Sequence, residues 1–505
     1  MSSRSPHEKP RTDPLILAID QGTSVCKVAL CSADGELIAL ARRPVDVRHA
    51  QPFWADVDPD SWARAVWDLV PQVLRESGVD GARVEAVGLS GLMHALVPTS
   101  VDGAALAPAM LWMDQRCRAE CEALVAEHGD RIEELGAPLP RTTTSAAKLY
   151  SLRLHEPDIV DATHKFLLPK DYLRLKLTGE WVTDPSDAGG TAMLARGDEP
   201  QWAEEYVRDI VGVSPSKLPN IAPATDIGGR LTEAAARELG LAVGTPVAVG
   251  ASDVRCTIAG MGIHNPGRRC LYMGTAAWIA KGPGEAGGPT GFLGATATFG
   301  AALKWCAETL CPTANPDEAY AEVEGLAADA PAGADGLTFL PHLNGERGPY
   351  YEPSASGSYL GLTLAHGRSH MCRAVFEGTA CHIRHILEER DAEEGGDLWC
   401  VGGGARTRLW LRILADVTGR AVVLPRQPEA GLLGAAMIAS VAVGRYDSVE
   451  AAGDAWVGGG ERIESRPSAA YERAYRRYRA LDEAMRPHYT LPPHDPPQPH
   501  HTGKD

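Results

Sequence analysis

Two aspartates follow short apolar runs, where a carboxylate can take part in phosphate chemistry. Asp20 follows residues 15–19 and precedes a glycine-containing turn, and Asp253 comes shortly after residues 246–249. A carboxylate beside loop amides can hold a hydrated Mg²⁺ ion near phosphate oxygens. A carboxylate at a strand end can also take the proton of an alcohol during phosphoryl transfer. The alternatives are a capping aspartate in an ordinary hairpin for Asp20 and a helix N-cap for Asp253.

A Gly-Thr dipeptide at the end of an apolar run occurs in each half of the chain. Loop amides and a threonine hydroxyl at such a turn can contact phosphate oxygens. The dipeptide alone is frequent by chance, but its repeated position indicates an internal duplication. The candidate phosphate contacts are Gly22, Thr23, Ser24 and Lys27 in the first half, and Gly274 and Thr275 in the second.

A glycine triplet stands between a predicted strand, residues 398–401, and a predicted helix, residues 409–417. Glycines at this position let a phosphate or a flat ligand approach the backbone closely. The spacing does not match the dinucleotide-binding fingerprint, so a mononucleotide fits better. The candidate residues are Gly402, Gly403, Gly404 and Arg406.

A further set of residues offers the contacts that a polyhydroxylated ligand needs. Met93 and His94 follow the predicted strand 84–89, and Trp112 and Asp114 lie downstream. Together they supply an aromatic wall, a hydrogen-bonding ring and a carboxylate. The alternative is that Met93 and Trp112 belong to the core and that His94 is a buried, hydrogen-bonded histidine.

Composition and charge exclude several classes of protein. The 505 residues predict at least two domains, and the 44% hydrophobic and 23% charged residues are typical of globular chains. A net charge of -17 disfavours binding to nucleic acid or to an anionic membrane. The start of the chain lacks a signal-peptide core, and its apolar runs are too short to span a bilayer. The scattered cysteines favour a reducing compartment, so we expect a cytoplasmic protein.

The order of apolar runs predicts α/β lobes. Residues 15–19, 25–30 and 37–41 predict a three-stranded meander, residues 61–74 predict a helix, and residues 84–89 predict a buried strand. Strands that alternate with helices indicate an α/β fold. A new strand at residue 246 follows a turn-prone segment and marks a domain boundary. We therefore expect a disordered leader at 1–13, domains at 14–245 and 246–486, and a disordered Pro- and His-rich tail at 487–505.

Taken in order, these segments resemble the FGGY family of carbohydrate kinases over residues 15–478. The most specific match is residues 357–362 (GSYLGL) followed by residues 370–377 (HMCRAVFE), which is similar to the C-terminal signature of the family. Residues 339–347 (FLPHLNGER) resemble its F-L-P-x-x-x-G-E-R segment. An ordered series of motifs is more specific than any one of them.

The resemblance implies an α/β fold of two ribonuclease H-like (actin/hexokinase-type) lobes with an interlobe cleft, and it implies ATP and Mg²⁺ as cofactors. It implies that Asp20 organises the metal ion and that Asp253 is the general base. The other implied contacts are Thr23 and Thr275 to phosphates, Gly403 and Gly404 to adenosine, and Met93, His94, Trp112, Asp114 and Asp253 to the sugar.

Within the family the likeness is greatest to xylulokinases, which implies phosphorylation of D-xylulose to D-xylulose 5-phosphate. The likeness rests on Met93-His94 and on residues 111–116 (LWMDQR), 167–174 (LLPKDYLR) and 402–406 (GGGAR).

Three residues depart from the xylulokinase pattern. Val254 replaces an asparagine after the base, Leu92 replaces a glutamine before Met-His, and Ser151 replaces a tryptophan. An apolar side chain where an amide would bond a hydroxyl favours a different substrate. Gluconate, another ketose or a polyol therefore remain alternatives, as does a sugar-sensing homologue without catalysis. Retention of Asp20, Thr23, Thr275 and Asp253 argues against the sensor. The sequence leaves open allosteric regulation and whether the chain forms a homodimer.

Overall fold

The chain folds into two α/β units. The computed structural model describes residues 14–51, 53–283, 291–313, 315–352, 354–391 and 395–489. The first unit comprises Met1–Gly262 and Glu429–Val457, and the second comprises Ile263–Pro428 and Gly458–Asp505. Within the described ranges, no helix is long and apolar enough to cross a membrane.

The first unit is built around a seven-stranded sheet. The strands of this unit, some of which form separate two-stranded sheets, are β1 (Leu15–Gln21), β2 (Val25–Cys31), β3 (Leu37–Pro44), β4 (Asp56–Val57), β5 (Val84–Gly91), β6 (Val97–Thr99), β7 (Ala109–Met110), β8 (Lys165–Leu167), β9 (Val182–Thr183), β10 (Asn220–Ile221), β11 (Ile227–Arg230), β12 (Pro246–Ala248) and β13 (Ala251–Ser252). The sheet order is β11-β12-β5-β1-β2-β3, and β13 also pairs with β5.

The predicted meander is confirmed and lies next to parallel strands. β1, β2 and β3 pair antiparallel, and they bury apolar side chains such as Leu17, Ile19 and Val28. β5 runs parallel to β1, and β12 and β13 run parallel to β5. The carboxyl ends of β1, β5 and β13 therefore lie at one edge of the sheet.

Helices flank the sheets of both units. They are α1 (Pro59–Ser77), α2 (Arg118–Glu134), α3 (Ser145–His155), α4 (Pro157–Ala162), α5 (Pro169–Thr178), α6 (Pro185–Gly190), α7 (Glu233–Leu239), α8 (Asp253–Gly260), α9 (Gly300–Leu310), α10 (Pro316–Asp329), α11 (Arg368–Arg390), α12 (Arg408–Thr418), α13 (Ala430–Ala442), α14 (Val449–Trp456) and α15 (Ala469–Met485).

Helix α1 shows how local sequence defines an element. The Asp58 carboxylate accepts the N–H of Asp60 at 3.1 Å and caps the start, and Gly78 ends the helix with φ 66°. Trp62 and Leu69 lie on its buried face. The predicted helix at 61–74 is confirmed and is longer by a few residues at each end.

The second unit repeats the plan of the first. Its strands are β14 (Arg269–Met273), β15 (Ala277–Lys281), β16 (Gly291–Ala295), β17 (Thr338–Leu340), β18 (Ser358–Leu360), β19 (Leu398–Val401), β20 (Val422–Pro425) and β21 (Gly459–Ile463). The main sheet has the order β16-β15-β14-β19-β20-β21. β14, β15 and β16 form an antiparallel meander, and β14, β19 and β20 run parallel.

The division between the units differs from the predicted boundary at residues 245/246. β12 and β13 pair with β5, so the chain stays in the first unit as far as Gly262. Helix α13 also belongs to the first unit, because small residues let it approach closely. A Cβ atom at Gly88 would lie 2.1 Å from the carbonyl oxygen of Ala435. Such long-range packing leaves no signal at the turn that marked the predicted boundary.

The predicted disordered tail begins too early. Pro487 lies in a 3₁₀ turn, Arg486–His488, and Tyr489 is only 2% exposed. The Tyr489 ring lies 6.0 Å from the His342 ring, so a tertiary contact holds this segment despite its proline-rich composition. The predicted leader, residues 1–13, and the remainder of the tail, residues 490–505, lie outside the described residues.

Candidate active site

Three neighbouring strand ends bring the two predicted catalytic carboxylates together. Asp20 of β1 is in register with Ser90 of β5, and Ser90 is in register with Ala251 of β13. The Ser90 hydroxyl donates to Asp20 Oδ1 at 2.7 Å. Asp253 follows β13 directly as the first residue of α8. Asp20 and Asp253 therefore stand on opposite sides of β5 at the same edge of the sheet.

The structure corrects the expected domain of Asp253 and removes the alternative that it is a helix N-cap. It belongs to the first unit rather than the second, and it is not an N-cap. Ser252 caps α8, and its hydroxyl oxygen accepts the N–H of Arg255 at 3.3 Å. The Asp253 carboxylate accepts the N–H of Val254 at 2.8 Å.

The protonation of Asp253 is set by its surroundings. Burial, reinforced by the negative charge of Asp20, raises the pKa of Asp253 to about 7. A carboxyl group with a pKa near neutrality can exchange protons at physiological pH. The electrostatics of Asp253 are therefore compatible with proton exchange at physiological pH.

The negative charge of Asp20 is less well stabilised than that of an ordinary surface carboxylate. Burial raises its pKa, and Lys27 and the Ser90 hydroxyl only partly oppose this effect. The α13 backbone approaches closely, since a Cβ atom at Gly431 would lie 3.2 Å from Asp20 Oδ2. A cation bound at this carboxylate would offset the cost of its charge.

The turn between β1 and β2 carries the first set of candidate phosphate contacts. The N–H of Gly22 donates to the carbonyl oxygen of Val25 at 3.1 Å and closes the turn. The Trp112 indole N–H donates to Thr23 Oγ1 at 3.1 Å. This bond joins a predicted sugar contact to a predicted phosphate contact, while the neighbouring Ser24 is exposed.

Lys27 already has an anionic partner. Its Nζ lies 2.7 Å from Glu429 Oε2, and Arg42 lies 3.5 Å from the other oxygen of the same carboxylate. A phosphate would have to compete with Glu429 for Lys27. The predicted role of Lys27 in phosphate binding therefore depends on the two N–H donors that Glu429 does not use, or on weakening of this ion pair.

Met93 and His94 follow β5 in an unusual backbone conformation. His94 has φ 68°, which a residue with a Cβ atom rarely adopts. His94 Nδ1 lies 2.6 Å from the carbonyl oxygen of Gly190. Because a carbonyl only accepts, Nδ1 carries the proton. A Cβ atom at Gly190 would lie 2.5 Å from Met93 Cε, so this glycine makes room for both half-buried side chains.

Asp114 is placed differently from the predicted sugar contacts. Its side chain is 0% exposed, and its oxygens accept from the Arg116 guanidinium at 2.6 Å and from the Ala55 N–H at 2.7 Å. Arg116 also pairs with Asp56 at 2.7 Å and lies 3.8 Å above the Trp54 ring. The structure thus gives Asp114 a positioning role in this loop, in contrast to the predicted contact with the sugar.

A fully buried charge cluster connects to Asp253. Lys170 Nζ lies 2.6 Å from Asp171 Oδ1 and 2.9 Å from one oxygen each of Asp184 and Asp187. Asp184 accepts from the Ser186 hydroxyl, and Ser186 Oγ accepts the N–H of Ser252 at 3.0 Å. The cluster therefore holds the backbone immediately before the candidate base.

The second unit brings the other Gly-Thr turn and the glycine triplet together. β14 and β19 are parallel neighbours, with Tyr272 in register with Val401, so Gly274 and Gly402 follow at one sheet edge. Gly402 has φ 99°, and a Cβ atom there would lie 2.7 Å from the carbonyl oxygen of Met273.

The surface above these two turns is accessible. Thr275, Gly403 and Arg406 are exposed. Among the described residues, no heavy atom lies within 4 Å of a Cβ atom built at Gly403, whereas one built at Gly404 would lie 3.1 Å from the Trp410 ring. The pattern of one packed and one open glycine suits a flat ligand that lies against the backbone.

Family models match both parts of the chain. Residues 15–260 match the N-terminal domain of the FGGY family of carbohydrate kinases, and residues 272–443 match its C-terminal domain. The chain belongs to the FGGY family of carbohydrate kinases.

Comparison with individual proteins shows which FGGY kinases this chain is similar to. A xylulose kinase of Escherichia coli (strain K12) is 31% identical over 449 residues, covering 85% of this chain and 90% of the relative. The crystal structure of xylulose kinase from Rhodospirillum rubrum has a TM-score of 0.78 and 29% identity, covering 94% of this chain and 99% of that one. A gluconate kinase structure from Lactobacillus acidophilus has a TM-score of 0.83 at 23% identity, with the same coverage, and shows the fold alone.

These comparisons confirm the predicted fold and family. The protein is a xylulokinase-like carbohydrate kinase of two α/β domains, and FGGY kinases take ATP as the phosphate donor.

A magnesium ion, which kinases of this class use generally, fits the chemistry of Asp20. Mg²⁺ is usually bound through one or two carboxylates and keeps waters and substrate phosphates as further ligands. Asp20 is half-buried at a strand end, and the raised pKa shows that its negative charge lacks full compensation. The residues present therefore suit the ion.

A second cluster contains residue types that commonly bind metal ions, but one of its histidines is protonated. His342, Glu346 and His382 of the second unit lie close enough to hold an ion. His342 contacts Glu346 at 2.6 Å and Asp482 at 2.9 Å through its two ring nitrogens. Although burial opposes it, hydrogen bonds to Asp482 and Glu346 raise the pKa of His342 to about 9. With His342 protonated, its ring has no lone pair for a metal, and the cluster in this state is a charge network.

Several residues that shape the site were not identified from the sequence. Strand pairing reveals Ser90, and tertiary packing reveals the rest, which are Gly190, Ser252 and Glu429. The sequence did offer a signal for Ser90, which is a polar residue near the end of a predicted buried strand. The strand register then places it beside Asp20.

Proposed function

We propose that this FGGY kinase transfers the terminal phosphoryl group of ATP to the 5-hydroxyl group of D-xylulose. The observation that carries the proposal is the placement of Asp20 and Asp253 at the ends of the two strands that flank β5, with the pKa of Asp253 raised to about 7. The similarity to the xylulose kinases of Escherichia coli and Rhodospirillum rubrum supports the choice of sugar.

In this reaction Asp253 takes the proton of the sugar hydroxyl while the hydroxyl oxygen bonds to the γ-phosphorus of ATP. The bond between that phosphorus and the bridging oxygen breaks, and ADP leaves. The Ser252 cap and the Val254 N–H hold the carboxylate in place. His94 Nδ1 donates its hydrogen bond to the carbonyl oxygen of Gly190, which fixes the tautomer and the orientation of the imidazole that we assign to a sugar hydroxyl.

The remaining candidate residues are assigned to the binding of the nucleotide and of the metal ion. We assign the adenosine to Gly402, Gly403 and Gly404, and the phosphates to Thr23 and Thr275. We assign Mg²⁺ to Asp20. When bound, the ion neutralises charge on the phosphates.

The substitution Asp20→Asn is expected to raise the Mg²⁺ concentration for half-maximal rate by at least about tenfold, because a neutral amide is a weaker ligand. Initial rates measured against free Mg²⁺ at saturating ATP and sugar provide the test. Ser90→Ala serves as the graded control, since it removes the hydrogen bond to Asp20 but keeps the carboxylate. An Asp20→Asn enzyme with a wild-type Mg²⁺ midpoint would remove Asp20 from the metal site.

The substrate is tested with a coupled assay of ADP release over D-xylulose, other ketoses, polyols and gluconate. D-Xylulose is expected to have the highest kcat/KM. Gluconate is the second candidate, because Val254 places an apolar side chain directly after the base. A higher kcat/KM for gluconate would identify an aldonate kinase, and no turnover with any compound would favour the sugar sensor.

Val254→Asn is expected to raise kcat/KM for D-xylulose relative to the other accepted substrates by roughly tenfold, because it supplies an amide beside the base. Leu92 also departs from the xylulokinase pattern, but it is 1% exposed and packs in the core, so we expect it not to contact the sugar. Leu92→Gln is therefore the matched control, which should lower the unfolding temperature without changing the substrate ranking. An unchanged ranking in Val254→Asn would mean that this position does not set specificity.

We also propose a cytoplasmic location. All eleven cysteines are buried as free thiols, which suits a reducing compartment.

A further inference from the structure

Lys148 is a buried lysine without an anionic partner. Its side chain is 0% exposed, and Nζ donates to the carbonyl oxygens of His94 at 2.9 Å and Thr143 at 2.8 Å. Within the described residues, no carboxylate forms an ion pair with it, whereas the equally buried Lys170 contacts three. Burying a charge without a counter-ion is costly, so the contacts of Lys148 need an explanation beyond stability.

The acceptor of Lys148 is the backbone of a residue held under strain. A φ of 68° at His94 is unfavourable for a residue with a Cβ atom and persists only where the surroundings impose it. The Ser145 hydroxyl donates to the same carbonyl oxygen at 3.2 Å. Two donors from the first turn of α3 therefore fix the orientation of one peptide group.

The side chain of His94 depends on that peptide orientation. The imidazole reaches Gly190 through Nδ1, and Met93 packs against the same glycine. If the His94 carbonyl turned away, the backbone would relax and both side chains would leave their places on Gly190. Burial lowers the pKa of Lys148 to about 8, with Cys117 and Asp114 opposing the effect. The ammonium form, which makes the stronger bond to a carbonyl, is therefore retained at neutral pH.

We propose that Lys148 is a positioning residue for the sugar site, which acts by holding the strained His94 backbone through its carbonyl oxygen. This inference rests on the proposed function, in which Met93 and His94 contact the sugar. It predicts that loss of Lys148 weakens the binding of the sugar. The binding of ATP should change little, because the contacts that we assign to the adenosine lie in the second unit.

Lys148→Met keeps the length of the side chain and removes its donors. We expect the KM for the best sugar to rise by roughly tenfold or more, while the KM for ATP changes by less than about twofold. Steady-state kinetics with each substrate varied in turn measure the two constants, and thermal unfolding reports whether the variant is folded. A role in folding alone would lower the unfolding temperature and leave the ratio of the two constants unchanged.

Lys165→Met is the matched control. Lys165 also donates to two backbone carbonyls, those of Ser216 and Leu218, at 2.7 and 2.8 Å, and it lies in β8 rather than beside His94. It should lose thermal stability without a change in the KM for sugar. A folded Lys148→Met enzyme with a wild-type KM for sugar overturns the inference.

Ser145→Ala keeps the test decisive if Lys148→Met fails to fold. It removes the weaker donor to the same carbonyl, so the KM for sugar should rise by about two- to threefold, and an unchanged value overturns the inference. The wild-type enzyme separates this inference from the proposed function. If the wild type phosphorylates no sugar in the panel, the proposed function fails, whereas an active wild type with unaffected Lys148→Met and Ser145→Ala variants contradicts the role of Lys148 alone.

Discussion

Asp253→Asn is expected to lower kcat by about 10²- to 10⁴-fold, because the amide cannot take the proton of the attacking hydroxyl. The affinity for ATP should remain within about twofold of wild type, since we assign the adenosine to glycines of the second unit and the substitution preserves shape. Single-turnover rates and a fluorescent ATP-analogue titration separate the two effects. A folded Asp253→Asn enzyme with near wild-type kcat on its best sugar would show that another group is the base.

The pH profile provides a second signature of the same residue. The base must be ionised, and the pKa of Asp253 is raised to about 7, so kcat/KM should rise with pH and level off above about 7. The rise should disappear in Asp253→Asn. Asp68→Asn, which changes an exposed carboxylate of α1, should keep the wild-type profile.

The same raised pKa predicts the effect of Asp253 on stability. Because the folded state binds the proton more tightly than the unfolded chain does, ionisation of Asp253 costs stability as the pH rises from about 4 through 7. Asp253→Asn removes this cost. We expect its unfolding temperature at pH 8 to equal or exceed that of wild type, which distinguishes lost catalysis from lost folding.

Lys170→Met is expected to produce the largest loss of stability. It removes the ammonium that contacts Asp171, Asp184 and Asp187, all with side chains 0–1% exposed. Breaking a buried ion pair by deleting one partner costs about 3–5 kcal/mol. The unfolding transition of the first unit should therefore fall by roughly 6–20 °C. Differential scanning calorimetry measures this transition.

The loss should depend on pH in a defined direction. Burial already raises the pKa of Asp187, with Lys170 opposing it, so the cluster without Lys170 has to take up protons in the folded state. Groups with a raised carboxyl pKa lose stability as pH rises, and the deficit of Lys170→Met should be larger at pH 8 than at pH 5.

Lys176→Met is the matched control on the same helix. Lys176 is partly exposed and lies 3.5 Å from Asp60, so its loss should cost no more than about 1 kcal/mol. Equal effects of the two substitutions would mean that the buried cluster is not a source of stability.

The order of elements in each unit could be read from the chain because it depends on local pattern. Apolar runs at 15–19 and 398–401 and the helical spacing at 61–74 correspond to β1, β19 and α1. Backbone propensity and burial on one face act over a few residues, so they leave periodic signals. The ordered motifs of the FGGY family were readable for the same reason, as were Asp20 and Asp253 as a chemically suited pair.

Only the tertiary structure determined which residues surround the two aspartates and the neighbouring Lys27. The return of α13 to the first unit places Glu429 on Lys27 and Gly431 beside Asp20, across a separation of about four hundred residues. Tertiary packing buried Asp114 and Leu92, although their neighbours in the sequence suggested contact with a ligand.

The local sequence therefore determined the types of residue available for phosphoryl transfer and the strands that carry them. Only the fold determined their protonation and their partners. The pKa of Asp253, the bond from the Ser252 N–H to Ser186 and the bond from Lys148 to the His94 carbonyl all depend on segments that are distant in the chain. Desolvation and hydrogen bonding act through space, and a linear pattern does not encode them.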